Sequence, residues 1–314
     1  MSLLVVGSIA LDSVETPFGR RAEVLGGSAT YFSTAASFFG PVQLVATVGE
    51  DFPEEHVRFL ASRGVDVAGL ERRPGRTFRW KGRYDFDLGQ AHTLDTQLNV
   101  FADFRPVLPE AYRASEYLFL GNIDPDLQRQ VLDQVRAPRL VACDTMNFWI
   151  ASKRDSLLET LRRVDLLFVN DAEARQLAGE HNVIKAAQRI LALGPRTLVV
   201  KRGEHGALLF TGDHVFAASA YPLPALFDPT GAGDSFAGGF MGYLARMRRE
   251  EPEVMRRAIV LGGVLASFAV ERFSLERLVE LTHEEIRSRY ADFRRLTHFD
   301  DLELDLFENG PPAG

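Results

Sequence analysis

Two aspartates and four glycines crowd the stretch DPTGAGDSFAGGF, from Asp228 to Phe240, and the apolar, helix-like segment Ser235 to Ala245 follows from its middle. A glycine-rich turn entering a helix leaves backbone N–H groups unpaired at the positive end of the helix dipole, a place suited to phosphate. Gly231, Ala232 and Gly233 have little or no side chain to block an anion there. Asp234 is the informative residue, because a carboxylate among those amides would repel the phosphate they attract. It makes sense where a base must stand beside a transferred phosphoryl group and take the proton from an attacking hydroxyl. A close-packing turn whose aspartate merely caps the helix is the plainer alternative; Asp228 and Thr230 in the same turn weigh against it. The run fits neither common nucleotide fingerprint. GxGxxG would need glycine where Phe236 stands, and the Gly-Lys pair of a Walker-type loop does not occur in the chain.

Other stretches set polar groups or glycines where strands end and helices begin. In LLFVNDAEARQL, Asn170 followed by Glu173 reads by itself as a helix cap with an acidic first turn. VVKRGEHGALLF carries Lys201, Gly203 and Gly206, which alone would be a hairpin turn. GSIALD ends on Asp12, a solvated turn residue if taken alone, and LGGSATYF puts Gly26 and Gly27 at a helix start, followed by Tyr31. Asn122 follows YLFLG, Asn147 lies in DTMNFW, and Gly262 and Gly263 lie in VLGGVLAS, where tight helix packing explains them equally well.

In this order the motifs closely resemble those of the ribokinase-like (PfkB) sugar kinase family, over roughly residues 3 to 295, with DPTGAGDSFAGGF matching its C-terminal signature. The resemblance implies Asp234 as catalytic base, with the amides of Gly231, Ala232 and Gly233 stabilising the γ-phosphoryl charge. It implies ATP with Mg²⁺, Asn170 near the phosphates and Glu173 on the water shell of the metal. Lys201, Gly203, Gly206, Thr230 and Gly263 would belong to the nucleotide side, and Asp228 to a position associated with a monovalent cation such as K⁺. On the acceptor side it implies Asp12 on sugar hydroxyls, with Gly26, Gly27, Tyr31, Asn122 and Asn147 around the substrate. The chain departs from the family pattern in two places. Tyr31 stands where ribokinase-type members carry asparagine, and Trp149 where sugar-acid kinases carry arginine, so a carboxylated sugar loses its partner.

The elements that must position these residues are legible as a rhythm. Short apolar runs such as LLVVGSI, VQLVATVG, YLFLG, LVACD, DLLFVN and TLVVK alternate with helix-period segments, the βαβ pattern of a mostly parallel sheet covered on both faces. Helices are expected at Glu54 to Arg63, Ser235 to Arg249, Val254 to Val270 and Leu275 to Phe293, and a hairpin from GALLF and HVFAA around Thr211-Gly212-Asp213. TFRWKGRYDF breaks the rhythm by alternating strictly, with Phe78, Trp80, Tyr84 and Phe86 on one face. With TLDTQLNVF it predicts a small inserted sheet, whose aromatic stripe covers a ligand, meets a second copy, or extends the core's edge.

The fold expectation is therefore a ribokinase-like three-layer α/β/α domain with a mostly parallel central sheet and a small inserted β-sheet lid. The kinase domain would run over 1–295, with lid strands at about 12–25 and 76–101, followed by an acidic C-terminal tail at 296–314. The chain has 314 residues, 46% hydrophobic, with a net charge of −7, which argues against a nucleic-acid partner. The single cysteine, Cys143, excludes an internal disulfide and fits a reducing cytoplasm. The N-terminal apolar run lacks a cationic flank and meets Asp12 too early for a signal peptide, and the longest weakly polar run, Ala258 to Val270, is too short to span a bilayer. The function expected first is an ATP-dependent carbohydrate kinase. A nucleoside kinase of the same family comes second and a non-catalytic nucleotide-binding sensor third, with a homodimer through the lid sheet.

Overall fold

The computed structural model describes residues 2–212 and 214–300. The chain opens with β1 (Leu3–Val6), β2 (Ala10–Thr16), β3 (Gly19–Gly26) and α1 (Ser28–Ala36), then β4 (Val42–Gly49), α2 (Glu54–Ser62) and β5 (Val65–Arg73). An excursion through β6 (Arg79–Tyr84) and β7 (Ala91–Gln97) leads to β8 (Tyr117–Leu120), α3 (Pro125–Leu132) and β9 (Leu140–Asp144). Then come α4 (Asn147–Ser152), α5 (Arg154–Leu161), β10 (Leu166–Asn170), α6 (Asp171–Ala178), α7 (Val183–Leu191) and β11 (Thr197–Lys201). The remainder is β12 (Ala207–Thr211), β13 (His214–Ala218), α8 (Ala232–Met247), α9 (Pro252–Ala269), α10 (Glu276–Glu280) and α11 (His283–Thr297).

Among the described residues, nine strands form one sheet in the order β13-β12-β11-β10-β9-β8-β1-β4-β5, parallel except for the hairpin edge β11-β12-β13. Both faces of the inner strands are buried, which is why those strands read as unbroken apolar runs. Along β1, Leu3 and Val5 enter the core with α1, α8 and α9, while Leu4 and Val6 enter the core with α3, α5 and α7. The strand order reverses beside β1: the chain runs outward to β4 and β5, then returns to β8 and runs the other way. Ligands of open α/β sheets bind in the crevice at such a switch point, outside the carboxyl ends of the strands. Gly121, just after β8, packs into this crevice, since a Cβ on it would stand 3.0 Å from Ser28 Oγ and 3.2 Å from the Val6 carbonyl.

A second, smaller sheet, β3-β2-β6-β7, is the one expected from the sequence as a lid. Its aromatic stripe is mostly used inside the chain. Phe78 stacks on Phe101 with centroids 5.3 Å apart, Trp80 lies across Gly82, and Tyr84 meets Thr230 of the glycine turn. Phe86 is the exception at 84% exposed, because β6 ends before it.

Some boundaries differ from those expected. Asp12, which taken alone reads as a solvated turn residue, is buried in β2 of the smaller sheet, beyond β1, which stops at Val6. The helix expected over Leu275 to Phe293 is two helices, broken at Leu281 because Thr282 and Glu285 form a reciprocal capping box that starts α11 afresh. The strand expected through Phe101 ends at Gln97, where Asn99 takes a positive φ of 50°. Helix α8 begins earlier than expected, so that Asp234 falls in its first turn. Asp213 and 301–314 lie outside the described residues, so of the expected tail only 296–300 are seen, and Leu296 and Thr297 close α11.

Candidate active site

Gly231 precedes α8 with φ 74° and ψ 1°, a left-handed geometry that a side chain resists. It also lies flat on the Tyr31 ring, where a Cβ would come within 2.3 Å. Within that kink the Ala232 amide donates to the Pro229 carbonyl at 3.2 Å, and the Gly233 amide is the next one at the helix N-terminus. Asp228 fixes the kink from below: its carboxylate accepts from the Thr230 amide at 2.9 Å and the Ser274 amide at 3.0 Å, and the Ser274 hydroxyl donates to the Leu25 carbonyl at 2.6 Å. Thr230 and Tyr84 approach through their hydroxyls at 3.3 Å, so the lid touches the turn. The later glycines of the motif do a different job. Gly238 lets α8 meet α1, where a Cβ would stand 2.4 Å from the Phe32 carbonyl, and Gly239 lets it meet α9, where a Cβ would stand 3.0 Å from the Leu261 carbonyl, with Gly262 of α9 making room from the other side.

Asp234 lies at the third position of α8, with no side-chain donor among the described residues. Its carboxyl is pushed up to about 7, first by burial and then by Asp144, with Lys201 opposing. Glu173 is also pushed up to about 7 by burial and Asp144, against Lys201. Asn170 and Glu173 form the helix cap the spacing predicts: the Asn170 side chain accepts from the Glu173 amide and Glu173 Oε2 from the Asn170 amide, both at 2.8 Å. That leaves Glu173 Oε1 for other work.

Asp144 was quoted in two sequence runs without a role, and it is central. It ends β9, is 4% exposed, and receives the Lys201 ammonium at 2.8 Å and the Thr145 amide at 2.8 Å. Burial alone would lower Lys201, but Asp144, Glu173 and Asp234 outweigh it, so its ammonium is held above its ordinary range. A Cβ on Gly233 would stand 3.0 Å from Lys201 Nζ, so that ammonium hangs over the turn. Three carboxylates share one lysine here, a surplus of negative charge that a hydrated divalent cation would offset. Among the described residues there is no cluster of three or more metal-ligating side chains that would cage a metal directly. The residues fit Mg²⁺ held through water, with Glu173 as its protein partner.

Asp12 faces the same crevice from the lid. Burial first, then Asp228 and Asp234, push it up to about 7, while the Gly27 amide holds it down. Gly26 makes room for it, since a Cβ there would fall 1.9 Å from Asp12 Oδ2. Tyr31 is 1% exposed under Gly231, and its hydroxyl is raised by burial and by Asp12 and Asp228. Asn122, half-buried, accepts from the Trp149 indole at 3.0 Å and donates to the Met146 sulfur at 3.1 Å. Asn147 is exposed at the start of α4, with its Oδ1 turned to the Phe148 amide at 2.8 Å. Gly203 and Gly206 make the turn after Lys201, with φ of 56° and 78°. Gly263 lies on α9 against Phe293 of α11, 3.5 Å from its Cβ position.

Along the carboxyl edge of the sheet these groups follow strand order: Lys201, then Asn170 and Glu173, then Asp144, then Asn122, then the turn leading to Asp12. A charged end grades into a polar and aromatic end, with Asp234 standing over it from α8. This is the architecture of a ribokinase-like kinase. The model of the pfkB family carbohydrate kinases matches residues 8–280, and the chain belongs to that family. It is 31% identical to a cytidine kinase of Thermococcus kodakarensis over 79% of this chain and 90% of that protein. It is 28% identical to a 2-dehydro-3-deoxygluconokinase of Thermoproteus tenax over 76% of this chain and 79% of that protein. A solved structure from E. coli described as a ribokinase II in complex with ATP and Mg²⁺ superposes with a TM-score of 0.75 at 19% identity, covering 93% of this chain and 99% of that one. Among the described residues, no helix is long and apolar enough to cross a membrane.

Proposed function

We propose that the protein transfers the γ-phosphoryl group of ATP to a hydroxyl of a nucleoside. The observation that carries phosphoryl transfer is Asp234 in the first turn of α8, near neutral pKa, beside the Gly233 amide and the Lys201 ammonium. A base poised near the operating pH takes the hydroxyl proton as the oxygen attacks. The amides at the turn, with Lys201, stabilise the charge on the phosphoryl oxygens as it passes. Mg²⁺, held through water by Glu173, would supply charge neutralisation of the ATP phosphates. Asp12 would accept the substrate's hydroxyls from the lid, and Tyr84 over Thr230 would help exclude water.

The sequence alone favours a sugar first and a nucleoside second. Similarity to a cytidine kinase supports the nucleoside, as do the aromatic surroundings of Asn122 and the loss of arginine at Trp149. A K⁺ ion beside Asp228, tested by exchanging K⁺ for Na⁺ at fixed ionic strength, is part of the same proposal. So are a cytoplasmic setting and a dimer through the lid sheet, for which exposed Leu94 and Phe86 provide apolar surface and light scattering the test. An ADP-release assay over cytidine, uridine, adenosine, inosine, ribose, fructose and 2-keto-3-deoxygluconate tests the acceptor. Highest kcat/KM on a nucleoside is expected; a sugar at the head of the panel would restore the carbohydrate kinase, and ATP binding without any turnover would restore the sensor.

A further inference from the structure

Asn122 stands just past the carboxyl end of β8, at the switch point, with two neighbours that settle which way its amide faces. The Trp149 indole N–H can only donate, and it lies 3.0 Å from Oδ1. The Met146 thioether can only accept, and it lies 3.1 Å from Nδ2. Both partners come from the segment after β9; the indole N–H opposes the flipped amide strongly, whereas the thioether, a weak acceptor, opposes it only slightly. The group therefore keeps one free N–H and one free lone pair, at fixed places. Asp12, whose carboxyl feels the charge of Asp234, holds the hydroxyl end of the acceptor near the base. Asn122 follows β8, between Asp144 on β9 and the turn from β1 to Asp12, so with the edge-to-face pair Phe148 and Trp149, 4.8 Å apart, it offers the rest of the acceptor uncharged partners in the same crevice.

We propose that Asn122 reads the hydrogen-bonding edge of the nucleoside base and that Trp149 is the positioning residue that makes this reading selective. The proposal rests on the nucleoside reading above. Cytidine and uridine present opposite donor and acceptor patterns at the pyrimidine edge, as adenosine and inosine do at the purine edge. An amide free to rotate by half a turn serves either pattern equally; one locked by an indole and a thioether serves only one.

The test compares W149F and N122A with the parent enzyme on the pairs cytidine/uridine and adenosine/inosine. In W149F the KM of the preferred nucleoside should rise about tenfold, the worth of one hydrogen bond, with kcat held within about twofold. The preference within the pair, as a ratio of kcat/KM, should fall by about the same factor, and the KM for ATP should not move. A structural role alone would lower both members of a pair together and leave the ratio intact, which would overturn the lock. N122A should raise the nucleoside KM and abolish the preference; an unchanged KM there would overturn base reading by Asn122 while leaving phosphoryl transfer untouched. Turnover of sugars only would remove the nucleoside reading, and this proposal with it.

Discussion

The two ends of the crevice are built on different principles. At the phosphoryl end, the proposed work falls to one turn of backbone: Gly231 kinks, the Gly233 amide stands at the helix N-terminus, and Asp234 comes three residues after the kink. At the acceptor end, the lid strand β2 brings Asp12, the start of α1 brings Gly27, the loop after β8 brings Asn122, and α4 brings Trp149. The contrast reflects what each ligand demands. A phosphoryl group is the same in every kinase and suits a fixed local motif, whereas the acceptor varies and is met by side chains delivered from separate elements. Charge differs too, with three acids and a lysine at one end and, at the other, the single acid Asp12 among amide, indole and thioether groups.

Substitutions can break that contrast. The largest effect after loss of the base itself is expected from G231A, which forces a Cβ to a positive φ and into the Tyr31 ring. Displacing the amides should lower kcat about 10²-fold, the usual worth of a lost anion-hole donor, with little change in acceptor KM. G26A is its counterpart at the other end. It crowds Asp12 Oδ2, so acceptor KM should rise about tenfold, as for one lost hydrogen-bonding partner, while the KM for ATP holds. If both variants changed the same constants, the two ends would not be separate sites.

Two neighbours of the base should move its titration in opposite directions. Asp234 must be ionised to act, so kcat/KM should rise with pH through about 7. Asp144 raises Asp234 and Lys201 lowers it, so D144N should shift the acidic limb to lower pH and K201M to higher pH. Matching shifts of one sign would contradict the arrangement. The smallest effect is on stability. The folded-state pKa values of Asp12 and Asp234 lie near 7 against an ordinary 3.8, so the unliganded fold gains stability from them below about 4 and loses it as pH rises through about 7. D12N should therefore raise the melting temperature at pH 8 and have almost no effect near pH 4.

The sequence made the phosphoryl end legible because glycine identity and spacing encode backbone shape directly. DPTGAGDSFAGGF holds the kink, the helix start and the aspartate proposed as base in one run, and Asn170 with Glu173 forms the cap the spacing predicts. Asp144 was not legible, since a single aspartate ending LVACD looks like any turn residue. Only the order β9-β10-β11 brings it under Lys201, 57 residues away along the chain. Trp149 reads as a missing arginine in the sequence; its bond to Asn122, 27 residues earlier, depends on the two loops meeting beyond adjacent strands. The lid sheet was legible from its strict alternation, but the inward use of Trp80 and Tyr84 was not.

The most direct test of the central claim is turnover of D234N, measured by ADP release with a saturating nucleoside, alongside its affinity for ATP. We expect kcat to fall by about 10²-fold or more with ATP binding largely retained, because the base acts in the chemical step and not in holding the nucleotide. An unchanged turnover number would contradict the assignment of Asp234 as the base and, with it, the account of how this turn works.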